Sequence, residues 1–194
     1  DDVSVNEGDG TATFTVSLSG SIQDEVTFNY ASDDVSTTAN EDYDEVSGNM
    51  SFSAGASNTS KTIVVTINEN TVAEPTETYH IDLSALTKSD DADAAFSVDQ
   101  GLGTITDNDE VKITLHAFTP ITETGGDQTA SFYVEKDIAS QYPIVLLFSS
   151  QPETTPTAIS PDDFTAQNDV TVTLPAISTS NVNVPATTIA GDDI

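Results

Sequence analysis

The stretch Thr11-Ala12-Thr13-Phe14-Thr15-Val16-Ser17-Leu18 constrains the fold more than any other part of the chain. Ala12, Phe14, Val16 and Leu18 occupy every second position with hydroxyl residues between them, the period of a strand with one face buried and one in water. Runs of similar chemistry recur at residues 25–30, 49–52, 62–67, 78–83 and 103–106, separated by polar connections such as 32–40 and 54–60. Helical periodicity is poor throughout. Many short strands with turn residues between them predict an all-β fold of antiparallel sandwich type.

After Asp109 the pattern starts again. Val5-Asn6-Glu7-Gly8-Asp9-Gly10-Thr11-Ala12-Thr13-Phe14-Thr15-Val16 is echoed by Ile121-Thr122-Glu123-Thr124-Gly125-Gly126-Asp127-Gln128-Thr129-Ala130-Ser131-Phe132-Tyr133-Val134. Glu41-Asp42-Tyr43 returns as Asp162-Asp163-Phe164, Met50-Ser51-Phe52 as Val172-Thr173-Leu174, and Ile63-Val64-Val65 as Val182-Asn183-Val184. The expected organisation is two tandem sandwich modules, 1–110 and 111–194, with a short joint that restricts the angle between them. The second copy is incomplete: it stops where the first has residues 72–77, so the last two strands of the first copy have no counterpart in it. The first copy, conversely, begins without the strand that 111–116 supplies to the second. A longer chain, strands beyond an inserted domain, or strands donated by a neighbouring molecule would each complete the second module.

Charge removes several function classes. Thirty-three acidic residues face four basic ones, for a formal net charge of -29. So few cations cannot neutralise a phosphate backbone, which excludes nucleic acid as a partner and disfavours an anionic membrane. No apolar run approaches the roughly twenty residues of a membrane helix, so insertion is not expected. With no cysteine there is no disulfide framework, and rigidity needs another source. His80 and His116 are lone histidines in strand settings, and there is no Gly-x-Ser-x-Gly elbow, so an enzyme is not expected. Pro143-Ile144-Val145-Leu146-Leu147-Phe148 departs from alternation. It reads either as a central strand covered on both faces or as a contact for a missing segment or another chain.

Two acidic loops stand out from this background. Glu69, Glu74 and Glu77 follow the apolar run ending at Ile67, and Asp107 and Asp109 follow Gly103-Thr104-Ile105-Thr106, with no lysine or arginine in either loop. Folded together, two such carboxylates about 5 Å apart repel by roughly 3 kcal/mol at an effective dielectric near 20. A hard cation with an all-oxygen shell converts that cost into binding, and Ca2+ fits best.

At these residues the chain resembles the Calx-beta family. The marks are Val5-Asn6-Glu7-Gly8, Glu41-Asp42-Tyr43 with Gly48, Phe52-Ser53-Ala54-Gly55, Glu74-Pro75-Thr76-Glu77-Thr78 and Gly103-Thr104-Ile105-Thr106-Asp107-Asn108-Asp109, in that order. The resemblance spans nearly all of residues 3–109 and part of 111–194. It implies an Ig-like, seven-stranded sandwich with a calcium site made by loops at one end. Carried over by position, the implied ligands are Glu7, Asp42, Glu69, Asn70, Glu74, Glu77, Asp107, Asn108 and Asp109, with Glu123 and Asp163 in the second module. Asp162, Asp192 and Asp193 are further candidates without a fixed register. Asn70 and Asn108 stand where carboxylates can occur and supply no charge, so an affinity of roughly 10⁻⁴ to 10⁻³ M is expected.

The resulting expectation is a calcium-binding structural or adhesion module of a large bacterial surface protein, extracellular, in which calcium stiffens the loops and the joint. The alternatives are a calcium-dependent module recognising a peptide, a sugar or a cell-surface ligand, and a filament subunit completed by a donated strand.

Overall fold

The computed structural model describes residues 1–38, 41–88, 94–117, 128–150 and 165–189. The chain forms two compact units, one of Asp1–Asn70 with Pro75–Asn108, the other of Thr71–Glu74 with Asp109–Ile194.

In the first unit the strands are β1 (Val3–Asn6), β2 (Thr11–Ser21), β3 (Val26–Asp34), β4 (Ser47–Phe52), β5 (Ser57–Thr66), β7 (Glu77–Thr87) and β8 (Gln100–Thr106); β6 (Val72–Ala73) groups with the second unit. A five-stranded sheet in the order β1-β8-β7-β3-β4 faces a two-stranded sheet of β2 and β5. The alternation read in 11–18 is realised: Ala12 and Phe14 are buried, and they pair in register with Val65 and Ile63. These residues meet Tyr79, Ile81 and Ile105 of the facing sheet, and Tyr43, which bridges Ile67, in one core. Phe14 lies edge-on to Tyr79 (centroids 5.9 Å apart), and Tyr79 stacks on Tyr43 at 4.4 Å.

Most strands run longer than the sequence reading, and three departures carry a physical reason. Residues 57–60, expected as connection, open β5, and 32–34 extend β3. Ser57–Ser60 are all exposed, so they join the sheet through backbone pairing with β2 and carry no apolar signal. β1 was not expected at all. It pairs in parallel with β8, Val3 opposite Gly103 and Asn6 opposite Thr106, a contact that no local pattern contains.

The second unit contains β9 (Ile113–Ala117), β10 (Gln128–Lys136), β11 (Ala139–Ser140), β12 (Ile144–Phe148), β13 (Val170–Leu174) and β14 (Val182–Ile189). One sheet runs β14-β10-β9; β12 pairs with β13, and β11 runs parallel to β6. Val134, Val172, Leu174 and Val184 form its core, with Phe132, Ile144, Leu146 and Phe148 packed around them. Lys136, only 1% exposed, donates from Nζ to Ser140 Oγ at 2.8 Å and to the Pro175 carbonyl at 2.6 Å. β12 alternates: Val145 and Leu147 are 61% and 67% exposed, and among the described residues its only partner is β13. Cover on both faces of this strand is therefore not seen among the described residues.

The repeat also gains a register. Ile63 sits opposite Phe14, whereas Phe132, the echo of Phe14, sits opposite Val184. Ile63 therefore corresponds to Val184, two residues on from the alignment read in the sequence. A two-residue slip preserves which side chains face the core, so alternation alone cannot detect it.

Candidate metal centre

Parallel pairing sets the position of the site. Because Asn6 lies opposite Thr106, the next residues, Glu7 and Asp107, leave the sheet side by side at the same end. Past Asn6 the chain turns through a 3-10 segment, Glu7–Asp9, closed by the Asn6 amide donating to Asp9 Oδ2 at 2.8 Å. The end of β5 arrives beside it, since Ile67 N donates to the Gly10 carbonyl at 3.1 Å. That delivers Asn68, Glu69 and Asn70 to the same place. The Asn70 backbone amide donates to Glu7 Oε1 at 2.9 Å, holding the carboxylate at this end of the sandwich.

Glu7, Asp107 and Asp109 form a cluster in which one carboxylate oxygen from each lies within 4.8 Å of the others. Two oxygens each about 2.4 Å from one ion lie at most about 4.8 Å apart, so this spacing suits a shared calcium ion. Glu7 is 4% exposed, and Asp107 and Asp109 are half-buried. Three partly desolvated carboxylates repel strongly, and the donor set is all oxygen, which is the chemistry of a hard cation and not of zinc. The residues present fit calcium.

Next to the cluster, Asn108 Nδ2 donates to Glu69 Oε1 at 3.3 Å. Gly8 lies beneath both: a Cβ there would come within 2.8 Å of Asn108 Nδ2 and 3.1 Å of Glu69 Oε2. Gly8 is thus a site residue that ligand chemistry alone does not single out, although it stands in the Val5-Asn6-Glu7-Gly8 mark. In this arrangement Asn108 acts as a donor toward Glu69. Glu77, 6% exposed, opens β7 opposite Ile105, at the same end of the sandwich.

Of the other expected ligands, the described ones are not among the three clustered carboxylates. Asp42 closes a turn by accepting from the Thr38 amide, and its own carbonyl accepts from Asn68 N at 2.9 Å; it is not one of the three clustered carboxylates. Glu74 belongs to the second unit, where Gln141 Nε2 donates to its Oε1 at 3.5 Å. Glu123 and Asp163 lie outside the described residues, as do Asp162, Asp192 and Asp193. His116 contacts Glu135 at 3.0 Å and stacks on Tyr133, with ring centroids 4.6 Å apart.

The model of the Calx-beta domain matches residues 1–110, more than half of the chain, and the chain belongs to this family of structural, non-catalytic calcium-binding modules. Among solved structures it is similar to CBD12 from CALX1.2, at 18% identity and TM-score 0.48, over 98% of this chain and 73% of that one. CBD12 of CALX1.1 is similar at 16% identity and TM-score 0.48, with the same coverage. The apo form of the Calx CBD1 domain covers 55% of this chain and 89% of its own, at 23% identity and TM-score 0.48. No curated protein sequence matches the chain. Among the described residues, no helix is long and apolar enough to cross a membrane.

Proposed function

We propose that this chain is a calcium-stiffened spacer from a large, extracellular bacterial surface protein, with modules at 1–110 and 111–194. The carrying observation is the cluster of Glu7, Asp107 and Asp109, with Glu69, Asn70, Asn108 and Glu77 as the surrounding shell. Without a cation, the repelling carboxylates push apart the β1 exit and the β8 exit. A bound calcium draws them together and fixes the path of residues 107–110. Millimolar extracellular calcium would fill roughly half to nine-tenths of a site in the expected affinity range, and it suits a chain of net charge -29. Limited proteolysis tests the reading: cutting near Asp109 should be slow in millimolar calcium and fast in chelator. Equal cutting in both would refute it.

A second reading concerns completion of the second module by a neighbouring domain or chain. It is favoured by the exposed Val145 and Leu147 on β12, a strand that pairs on one side only among the described residues. Its equivalent β3 is paired on both sides, by β4 and by β7. Leu147→Asp should leave the fold intact but abolish any assembly, whereas Leu146→Asp, aimed at the core, should unfold the unit. Sedimentation velocity with circular dichroism separates the two.

A further inference from the structure

Asn108 is the uncharged residue in Asp107-Asn108-Asp109, and both of its neighbours belong to the cluster of three carboxylates. Glu69 precedes Asn70, whose backbone amide holds Glu7. The two side chains therefore arrive at one end of the first sandwich from different loops, and they meet there: Asn108 Nδ2 donates to Glu69 Oε1 at 3.3 Å. A carboxylate only accepts, so an amide beside it presents its NH2 group and turns its own oxygen away.

The second oxygen of Glu69 is confined as well. Oε2 lies 3.1 Å from where a Cβ on Gly8 would stand, and Asn108 Nδ2 lies 2.8 Å from the same point. The missing side chain at Gly8 lets both groups rest on the 3-10 turn Glu7–Asp9, the turn that carries the buried member of the cluster. Both contacts lie within the first sandwich, and both close Glu69 against its neighbours.

Charge gives this closure a meaning. Glu69 is not one of the three clustered carboxylates, so an ion held by Glu7, Asp107 and Asp109 leaves its charge to be met by something else. A second calcium ion would need several further oxygens around it. The side chain that touches Glu69 offers hydrogens instead, and the polarised N–H bonds of Asn108 put partial positive charge where that second ion would stand.

We propose that Asn108 limits this metal centre to one calcium ion, its amide occupying the position beside Glu69 that a second cation would otherwise fill. The proposal rests on the calcium reading of Glu7, Asp107 and Asp109, and it makes Asn108 the residue that sets how many ions the centre takes. A carboxylate in its place would repel Glu69 and supply ligand oxygens at once, the two conditions that call in another hard cation.

The test uses crystals of the whole 194-residue chain grown in millimolar calcium, in which the anomalous density of calcium locates each ion. The parent should show one peak among Glu7, Asp107 and Asp109 and none on Glu69. Asn108→Asp should add a second peak on the Glu69 carboxylate, and Asn108→Asp combined with Glu69→Gln should lose it again. Melting in chelator at low ionic strength adds a readout without the ion. There Asn108→Asp exchanges a hydrogen bond for a like charge facing Glu69, and it should melt about 2–4 °C below the parent, a gap that calcium should close. A peak on Glu69 in the parent, no second peak in Asn108→Asp, or melting of that variant at the parent temperature in chelator would each overturn the proposal. Absence of any peak at Glu7, Asp107 and Asp109 would instead remove the calcium reading itself, and this proposal with it.

Discussion

Tyr43 shows how a single residue ties the core to solution conditions. It is 1% exposed, stacked on Tyr79, and its hydroxyl donates to Asp34 Oδ1 at 2.9 Å. Burial pushes its phenol from the ordinary 10 up to about 12, the hydrogen bond to Asp34 adds in the same direction, and burial also raises Tyr79. An acid that ionises less readily when folded contributes stability in full below the unfolded value, near pH 10. That contribution is lost as pH climbs through about 12. Tyr43→Phe should cost about 1 kcal/mol at neutral pH and flatten the fall in stability above pH 10. Urea melts across this range check it, and an unchanged alkaline slope would contradict it. Glu7→Gln offers a test of opposite signs. It keeps an oxygen to accept from Asn70 but removes one of three crowded charges. In chelator the variant should melt higher than the parent, and in calcium it should bind the ion about tenfold more weakly or worse.

Among the elements, the β1–β8 pair carries the site, and its tightest point is Gly103. A Cβ there would fall 2.4 Å from carbons of the Tyr79 ring, inside the core. Gly103→Ala should therefore destabilise by roughly 1–3 kcal/mol through forced displacement of that ring, read as a lower melting temperature. The strand chemistry of β2, β3, β5, β7 and β8 was legible because each alternates against a core. β1 was not, since four residues are too few to show a period and its partner is distant in sequence. The same parallel register explains the site: the sequence marks named Glu7 and Asp107, but only the pairing of Asn6 with Thr106 places them together. Glu74 was read with the first module because it follows Glu69 closely in sequence. The strand pairing of Val72–Ala73 with Ala139–Ser140 assigns that stretch to the second unit instead.

Across the whole molecule, the dominant fact is a charge of -29 without disulfides. Such a chain folds against its own repulsion, and a ligand that binds only the folded state stabilises it by mass action. At calcium roughly ten to a hundred times above the dissociation constant, the gain is about 1.4–2.7 kcal/mol, which raises the melting temperature of a chain this long by roughly 3–10 °C. Ionic strength separates this from general screening, since magnesium or sodium at matched ionic strength should recover only part of the shift. The most direct measurement is the melting temperature of the 194-residue chain against free calcium at constant ionic strength. The expected result is a saturable rise that Glu7→Gln blunts. Identical melting in chelator and in millimolar calcium would contradict a calcium site at Glu7, Asp107 and Asp109.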